Sequence, residues 1–202
     1  MKTHCTVYKL GGSLLDFPQL RARLTDLLHQ QSDSSPLLII GGGQVADTVR
    51  AWDQTFQLGE ERSHWLAIRA LTFNANLVAE LLENAVVVSS HTEAMATWSK
   101  GLVPVLDAYA FVTSCEEASD VALPHNWTAT SDSVAAWIAI NWPADRLVLL
   151  KSSENVVATF SQAVEQNMID KTLQTLAPHL PETYLCNLRA EANLKLVRLG
   201  GE

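Results

Sequence analysis

Strand-like apolar runs alternate with amphipathic helical segments from Val7 to Lys151, and this alternation most constrains the fold of the chain. Val7-Tyr8-Lys9-Leu10 and Leu37-Leu38-Ile39-Ile40 read as strands, each followed by glycines. Ala85-Val86-Val87-Val88 is a third, apolar at every position. Strands without a polar face belong in a sheet covered on both sides by helices, where neighbours run parallel. Segments 102–106 and 146–150 extend the series. Between them, Asp16 before Phe17-Pro18 reads as a helix cap with proline in the first turn, and Leu20, Leu24, Leu27 and Leu28 recur on one face. After the loop at 31–36 and the second strand comes a helix with Val45, Val49 and Trp52 inward. A longer helix over 62–83 turns Trp65, Ile68, Leu71, Ala75, Val78 and Leu82 to the core. Helices near 92–99 and over 131–141 follow, with a polar, loop-like stretch at 113–128. Segment 160–181 reads as helical, and Tyr184-Leu185-Cys186 and Leu194-Lys195-Leu196-Val197 read as closing strands. The pattern predicts an α/β fold: a three-layer αβα sandwich with a mainly parallel central sheet.

Composition narrows the function. At 202 residues the chain suits one domain or two closely packed lobes, and 48% hydrophobic against 18% charged residues supplies a sizeable core. A net charge of −8 with only 14 Lys plus Arg, and no basic stripe, excludes a broad nucleic-acid surface. A small anionic substrate stays compatible, because a few lysines focused in one crevice outweigh total charge. Cys5, Cys115 and Cys186 are far apart and lack Cys-x-x-Cys spacing, against both disulfides and a zinc cluster. No signal sequence or apolar run of about 18 residues is read, which makes the cytoplasm the expected location and a membrane partner unexpected. His4, His29, His64, His91, His125 and His179 show no ligand spacing and read as surface or helix-end residues. Trp52, Trp65, Trp98 and Trp137 fall at core-like helical positions. Trp127, in the loop before Thr130, is open to two readings: core, or a wall for a ring-shaped substrate.

The chemistry concentrates in three segments: Lys9-Leu10-Gly11-Gly12-Ser13, Gly41-Gly42-Gly43 and Thr130-Ser131-Asp132-Ser133. A lysine at a strand's carboxyl end delivers charge into a crevice, and glycines let backbone N–H groups approach anionic oxygens. Helix starts after Gly43 and Thr130 attract phosphate. Other readings compete. Gly41-Gly42-Gly43-Gln44-Val45-Ala46 also satisfies the dinucleotide fingerprint, yet Glu60 and Glu61 precede a helix where that motif needs an acid ending a strand. No P-loop pattern occurs. Lys9 and Lys151 could each be solvated strand-end lysines, and Asp132 a plain helix cap.

These segments resemble the amino acid kinase superfamily, which includes acetylglutamate, aspartate and uridylate kinases. The likeness runs over most of residues 5–157, on Lys-x-Gly-Gly after the first strand and the triple glycine after the second. It continues through 129–136 and Arg146-Leu147-Val148-Leu149-Leu150-Lys151-Ser152-Ser153 in uridylate kinase order. Closer in look is the small branch that phosphorylates an aminomethylfuran phosphate in methanofuran synthesis. The resemblance implies one domain over 1–202, with the acceptor bound by about 1–125 and the nucleotide by about 126–202. It implies an ATP- and Mg²⁺-dependent kinase acting on a small anionic acceptor, a phosphomonoester, and a homo-oligomer. Lys9, Asp132 and Lys151 become the catalytic set, with Asp132 orienting the lysines. Gly11, Gly12, Ser13, Gly41, Gly42, Gly43, Thr130, Ser131 and Ser133 become phosphate or substrate contacts, with no protein-held metal. The family's Asp-Gly turn after the nucleotide strand is replaced by Lys151-Ser152-Ser153-Glu154-Asn155-Val156, and Gly200-Gly201 stands where longer members carry further nucleotide elements. A non-catalytic binding or accessory subunit on the same fold is the alternative expectation.

Overall fold

Seven strands pair into one sheet in the computed structural model, which describes residues 4–153, 157–191 and 194–200. The chain runs β1 (Cys5–Leu10), a 3-10 turn (Gly12–Leu14), α1 (Leu20–Gln30), β2 (Ser35–Ile40), α2 (Gly43–Phe56) and α3 (Glu60–Leu81). It continues through β3 (Ala85–Val88), α4 (His91–Ser99), β4 (Val103–Leu106), α5 (Ala108–Cys115), α6 (Ser131–Asn141) and β5 (Arg146–Lys151). The last part is α7 (Phe160–Glu165), α8 (Lys171–Leu176), β6 (Glu182–Asn187) and β7 (Val197–Leu199). The strand order is β3-β4-β2-β1-β5-β6-β7. Every neighbouring pair is parallel except β6 with β7.

Side chains of a strand alternate between faces, and here each face is apolar. Val7, Leu37, Ile39, Leu147 and Leu149 enter one core with Phe111 of α5, Val134 and Ile138 of α6 and Leu173 of α8. Tyr8, Leu10, Leu38, Ile40, Val148 and Leu150 enter the other, with Leu20, Leu24 and Leu27 of α1 and Ala75 and Val78 of α3. Helices therefore cover both faces, and the expected three-layer αβα sandwich is the fold. From β1 the chain passes to β2 on one side and reaches β5 on the other, so β1 marks the switch in strand order. Ligands of open α/β sheets bind outside the carboxyl ends of strands at such a point.

Several local expectations change. Asp16 does not cap α1; Gln19 does, and Asp16 accepts a hydrogen bond from Arg189 at 2.8 Å. β3 is an edge strand, so Val86 is exposed despite the apolar run. In α2 only Val49 is buried, and Trp52 is 50% exposed, because this helix packs along α3 on a narrow seam. Segment 113–128 begins inside α5 and a 3-10 turn at Glu116–Ala118 before it becomes loop. The helix over 160–181 is broken into α7 and α8, where Asn167 takes a positive φ of 55° and Asp170 caps α8. The last strand forms at Val197–Leu199 rather than at 194–197. Of the segment compared with the Asp-Gly turn, residues 154–156 lie outside the described residues, as does Gly201. Among the described residues no helix is long and apolar enough to cross a membrane.

Candidate active site

Register puts two lysines on the same face of the sheet. Lys9 of β1 pairs with Leu149 of β5, and Lys151 lies two residues beyond Leu149, so all three point toward the α6 side. α6 starts there. Thr130 caps it, its hydroxyl accepting from the Asp132 N–H at 3.2 Å, and Asp132 occupies the first turn, where the helix favours a negative charge. Lys9 Nζ lies 2.7 Å from Asp132 Oδ1, and Lys151 Nζ donates to Oδ2 at 2.5 Å. The Lys9 and Asp132 side chains are only 4% and 9% exposed. Burial would raise the Asp132 pKa, but the ammonium groups of Lys9 and Lys151 outweigh it and hold the carboxyl well below its usual range. Burial lowers the Lys9 pKa, Asp132 opposes that, and Lys151 adds to it. Two ammonium groups against one carboxylate leave this triad with a net positive charge, suited to an anion.

The glycines are demanded by packing as well as by ligand approach. A Cβ on Gly12 would stand 2.2 Å from the Gly43 nitrogen, and one on Gly41 would stand 2.6 Å from the Gly12 nitrogen. The two βα turns therefore touch backbone to backbone. The Gly11 and Gly41 N–H groups donate to Leu150 O at 2.9 Å and Leu10 O at 2.8 Å, prolonging the sheet rather than facing solvent. Asn74 of α3 donates to Gly41 O and Gly42 O, both at 2.8 Å, and fixes the second turn. Asp170 was not singled out by the sequence. It accepts from Thr130 Oγ1 at 2.5 Å, from the Ser133 hydroxyl and from the Leu173 N–H at 2.7 Å, tying α6 to α8. Ser133 is fully buried, with its hydroxyl committed to Asp170. Asn74 was detectable as a polar residue in the apolar stripe of α3; Asp170 carried only the signal of a helix cap.

A cleft of about 240 Å³ opens beside the triad, lined among others by Gly12, Ser13, Gly43, Arg50, Trp127 and Thr130. Gly42 and Ser131 also line it. Ser13 Oγ stands 3.0 Å from Ser152 Oγ, linking the first turn to the end of β5. The indole N–H of Trp127 donates to Asp53 at 2.8 Å, and the Arg50 guanidinium lies 4.7 Å from its ring centre. Trp127 is therefore a cleft wall. Of the histidines expected at the surface or at helix ends, His64 lies near the start of α3 but is buried in the cleft wall by tertiary packing, stacked on His125 at 5.1 Å. Burial and the neighbouring His125 push the His64 pKa down to about 4, against a hydrogen bond that the ring donates to the Asn126 backbone. Among the described residues no cluster of three or more His, Cys, Asp or Glu could hold a metal ion. Both Asp132 oxygens face lysines, so this donor set suits the phosphates of a nucleotide, and a Mg²⁺ ion would take its ligands from those phosphates.

Comparisons with known proteins agree with this fold. A uridylate kinase of Methanospirillum hungatei is 26% identical over 179 residues, spanning 85% of this chain and 68% of that protein. The crystal structure of UMP kinase from Ureaplasma parvum matches with a TM-score of 0.65 at 16% identity, over 94% of this chain and 92% of that one. The uridylate kinase of Archaeoglobus fulgidus gives 0.60 at 21% identity, over 92% and 90%. At such identities the structures carry the fold alone. The sequence model of the amino acid kinase family matches residues 4–171, and this chain belongs to that family.

Proposed function

We propose that this protein is a kinase that transfers the γ-phosphoryl of ATP to a small anionic acceptor, a phosphomonoester of uridylate-like or aminomethylfuran phosphate-like kind. Family membership and the uridylate kinase relative support a small-molecule kinase. The observation that carries the reading is the Lys9–Asp132–Lys151 triad, with Lys9 and Asp132 buried, at the switch point of the sheet. In this reading residues up to about 125 and the cleft hold the acceptor, and the part from about 126 onward, with Lys151, holds the nucleotide.

Bound Mg-ATP supplies the phosphoryl group and its metal. Lys9 stabilises the negative charge that spreads over the transferring oxygens, together with the N–H groups of Gly12, Gly42 and Gly43. Lys151 balances charge on the leaving side. Asp132 holds both ammonium groups in place and takes no proton, since both lysines keep it ionised. A phosphate acceptor is already deprotonated, so the reaction needs no general base. The test is ATP-dependent phosphorylation assayed across small phosphomonoesters, uridylate and acyl amino acids. On an established substrate, Lys9→Ala is expected to lower kcat by about 10²-fold or more with the fold retained. Undiminished turnover in that variant would sink the mechanism. Absence of any nucleotide binding by the wild-type protein would leave the accessory-subunit reading in its place.

A further inference from the structure

One ring nitrogen in the cleft wall has no partner. His64 is 3% exposed, lines the cleft, and its Nε2 makes no hydrogen bond among the described residues. Ala67, Ile68, Leu71 and Val134 of the cleft lining carry no donor, and its polar members, Arg50 and Asn126 among them, do not hydrogen-bond Nε2. The ring is fixed in place: its face stacks on His125, and His125 Nε2 lies 2.5 Å from Glu116. The Asn126 backbone hydrogen-bonds the ring in the sense that favours a ring proton, so its carbonyl accepts from the other nitrogen. That tautomer leaves Nε2 as a lone-pair acceptor. A buried acceptor without a donor is costly, and a ligand bringing the donor removes the cost. The same cleft holds Trp127, with the Arg50 guanidinium 4.7 Å from its ring centre and paired to Asp47 at 2.6 Å.

We infer that His64 is the specificity-determining residue for the acceptor, and that the acceptor is a phosphomonoester of a planar ring carrying an N–H or O–H group donated to His64 Nε2. The ring packs on Trp127, and the donor separates true acceptors from ring phosphates of the same size. This inference rests on the kinase reading for its acceptor, but its test is one of binding and needs no turnover.

The probes are substituted benzyl phosphates in matched pairs. One pair carries hydroxymethyl against methoxymethyl; the other carries aminomethyl against trimethylammoniomethyl, which keeps the charge and removes the N–H. Calorimetric titration without nucleotide should show at least one donor-bearing member binding about tenfold or more tighter than its masked partner. In His64→Phe the preference should shrink to within about twofold, and His64→Gln, which keeps an acceptor oxygen, should recover part of it. Thermal melting of both variants checks that each is folded. Equal binding within every pair, survival of the preference in a folded His64→Phe variant, or binding by no member would each overturn the assignment. Donor-selective binding without phosphorylation would uphold His64 while the kinase reading fell; phosphorylation indifferent to the donor would do the reverse.

Discussion

Asp132 shows how one carboxylate sets both stability and chemistry. Both of its neighbours are cations, one almost wholly buried, so neutralising it strands two ammonium groups. Asp132→Asn is expected to slow turnover by releasing the lysines and also to destabilise the fold by about 3–5 kcal/mol at pH 7. The sign with pH is fixed by Lys9, whose folded pKa already lies below its unfolded value. The unfolded chain binds more protons in that window, so stability of the variant should rise toward alkaline pH as Lys9 sheds its proton. Urea titrations at pH 7 and pH 9 read this directly, and a cost that does not shrink at pH 9 refutes it. His64 acts at the acid end. Its folded pKa of about 4 lies below the unfolded value near 6.5, so its stabilising contribution is whole above that value and is lost as pH falls toward 4. His125 stacks on it and pairs with Glu116, and Arg50 and Asp47 share its cleft, so the slope belongs to a cluster. Wild type should lose up to about 3 kcal/mol over this window, and His64→Phe should lose much less. Parallel curves for the two proteins would show that His64 is not buried neutral.

At the scale of elements, the central strands and the helices after Glu60 and Thr130 were legible in the sequence because burial imposes a period on them. Val7, Leu37 and Leu147 have no polar alternative, and Ile68, Leu71, Ala75 and Val78 keep helical spacing. Failures came where tertiary context decides. Trp52 looks inward by period, yet α2 packs mainly along α3 and leaves Trp52 half exposed. The break between α7 and α8 depends on Asp170 reaching Thr130 and Ser133, residues far away in the chain. The candidate site was legible unevenly: Lys9, Asp132 and Lys151, singled out together by the family resemblance, do meet in the structure, while Asn74 acts through a turn formed by another element. That role is testable. Asn74→Asp puts a carboxylate against two carbonyl oxygens, whereas Asn74→Leu only removes their donors. Loss of the donors should cost about 1–3 kcal/mol and the carboxylate more, with kcat falling in both as the glycine turn shifts. Chemical denaturation that ranks Asp as milder than Leu would refute the contact.

The whole molecule has one feature that its monomeric fold leaves unexplained. Phe56 of α2 is 67% exposed and Phe73 of α3 is 64% exposed, and Trp52 and Leu77 on the same two helices are also open to solvent. α2 and α3 pack against one another, so these side chains belong to one helical layer. Large apolar side chains gathered on an outer layer mark contact surfaces. We propose that a homo-oligomer, implied by the family resemblance, buries them against a second copy; its association face would then lie beside α2, the helix that also carries Arg50. Sedimentation of the wild-type chain at micromolar concentration should then show a dimer or larger species, and Phe73→Asp should shift it toward monomer. An exposed substitution of this kind costs a monomer within about 0.5 kcal/mol, so denaturation of the dissociated variant should stay cooperative. A wild-type chain that sediments as a monomer, or a Phe73→Asp variant with unchanged association, would mean that this layer is not the interface. Oligomerisation through α2 should also steady the cleft, so dissociation is expected to weaken acceptor binding more than nucleotide binding, and calorimetry with each ligand separates the two.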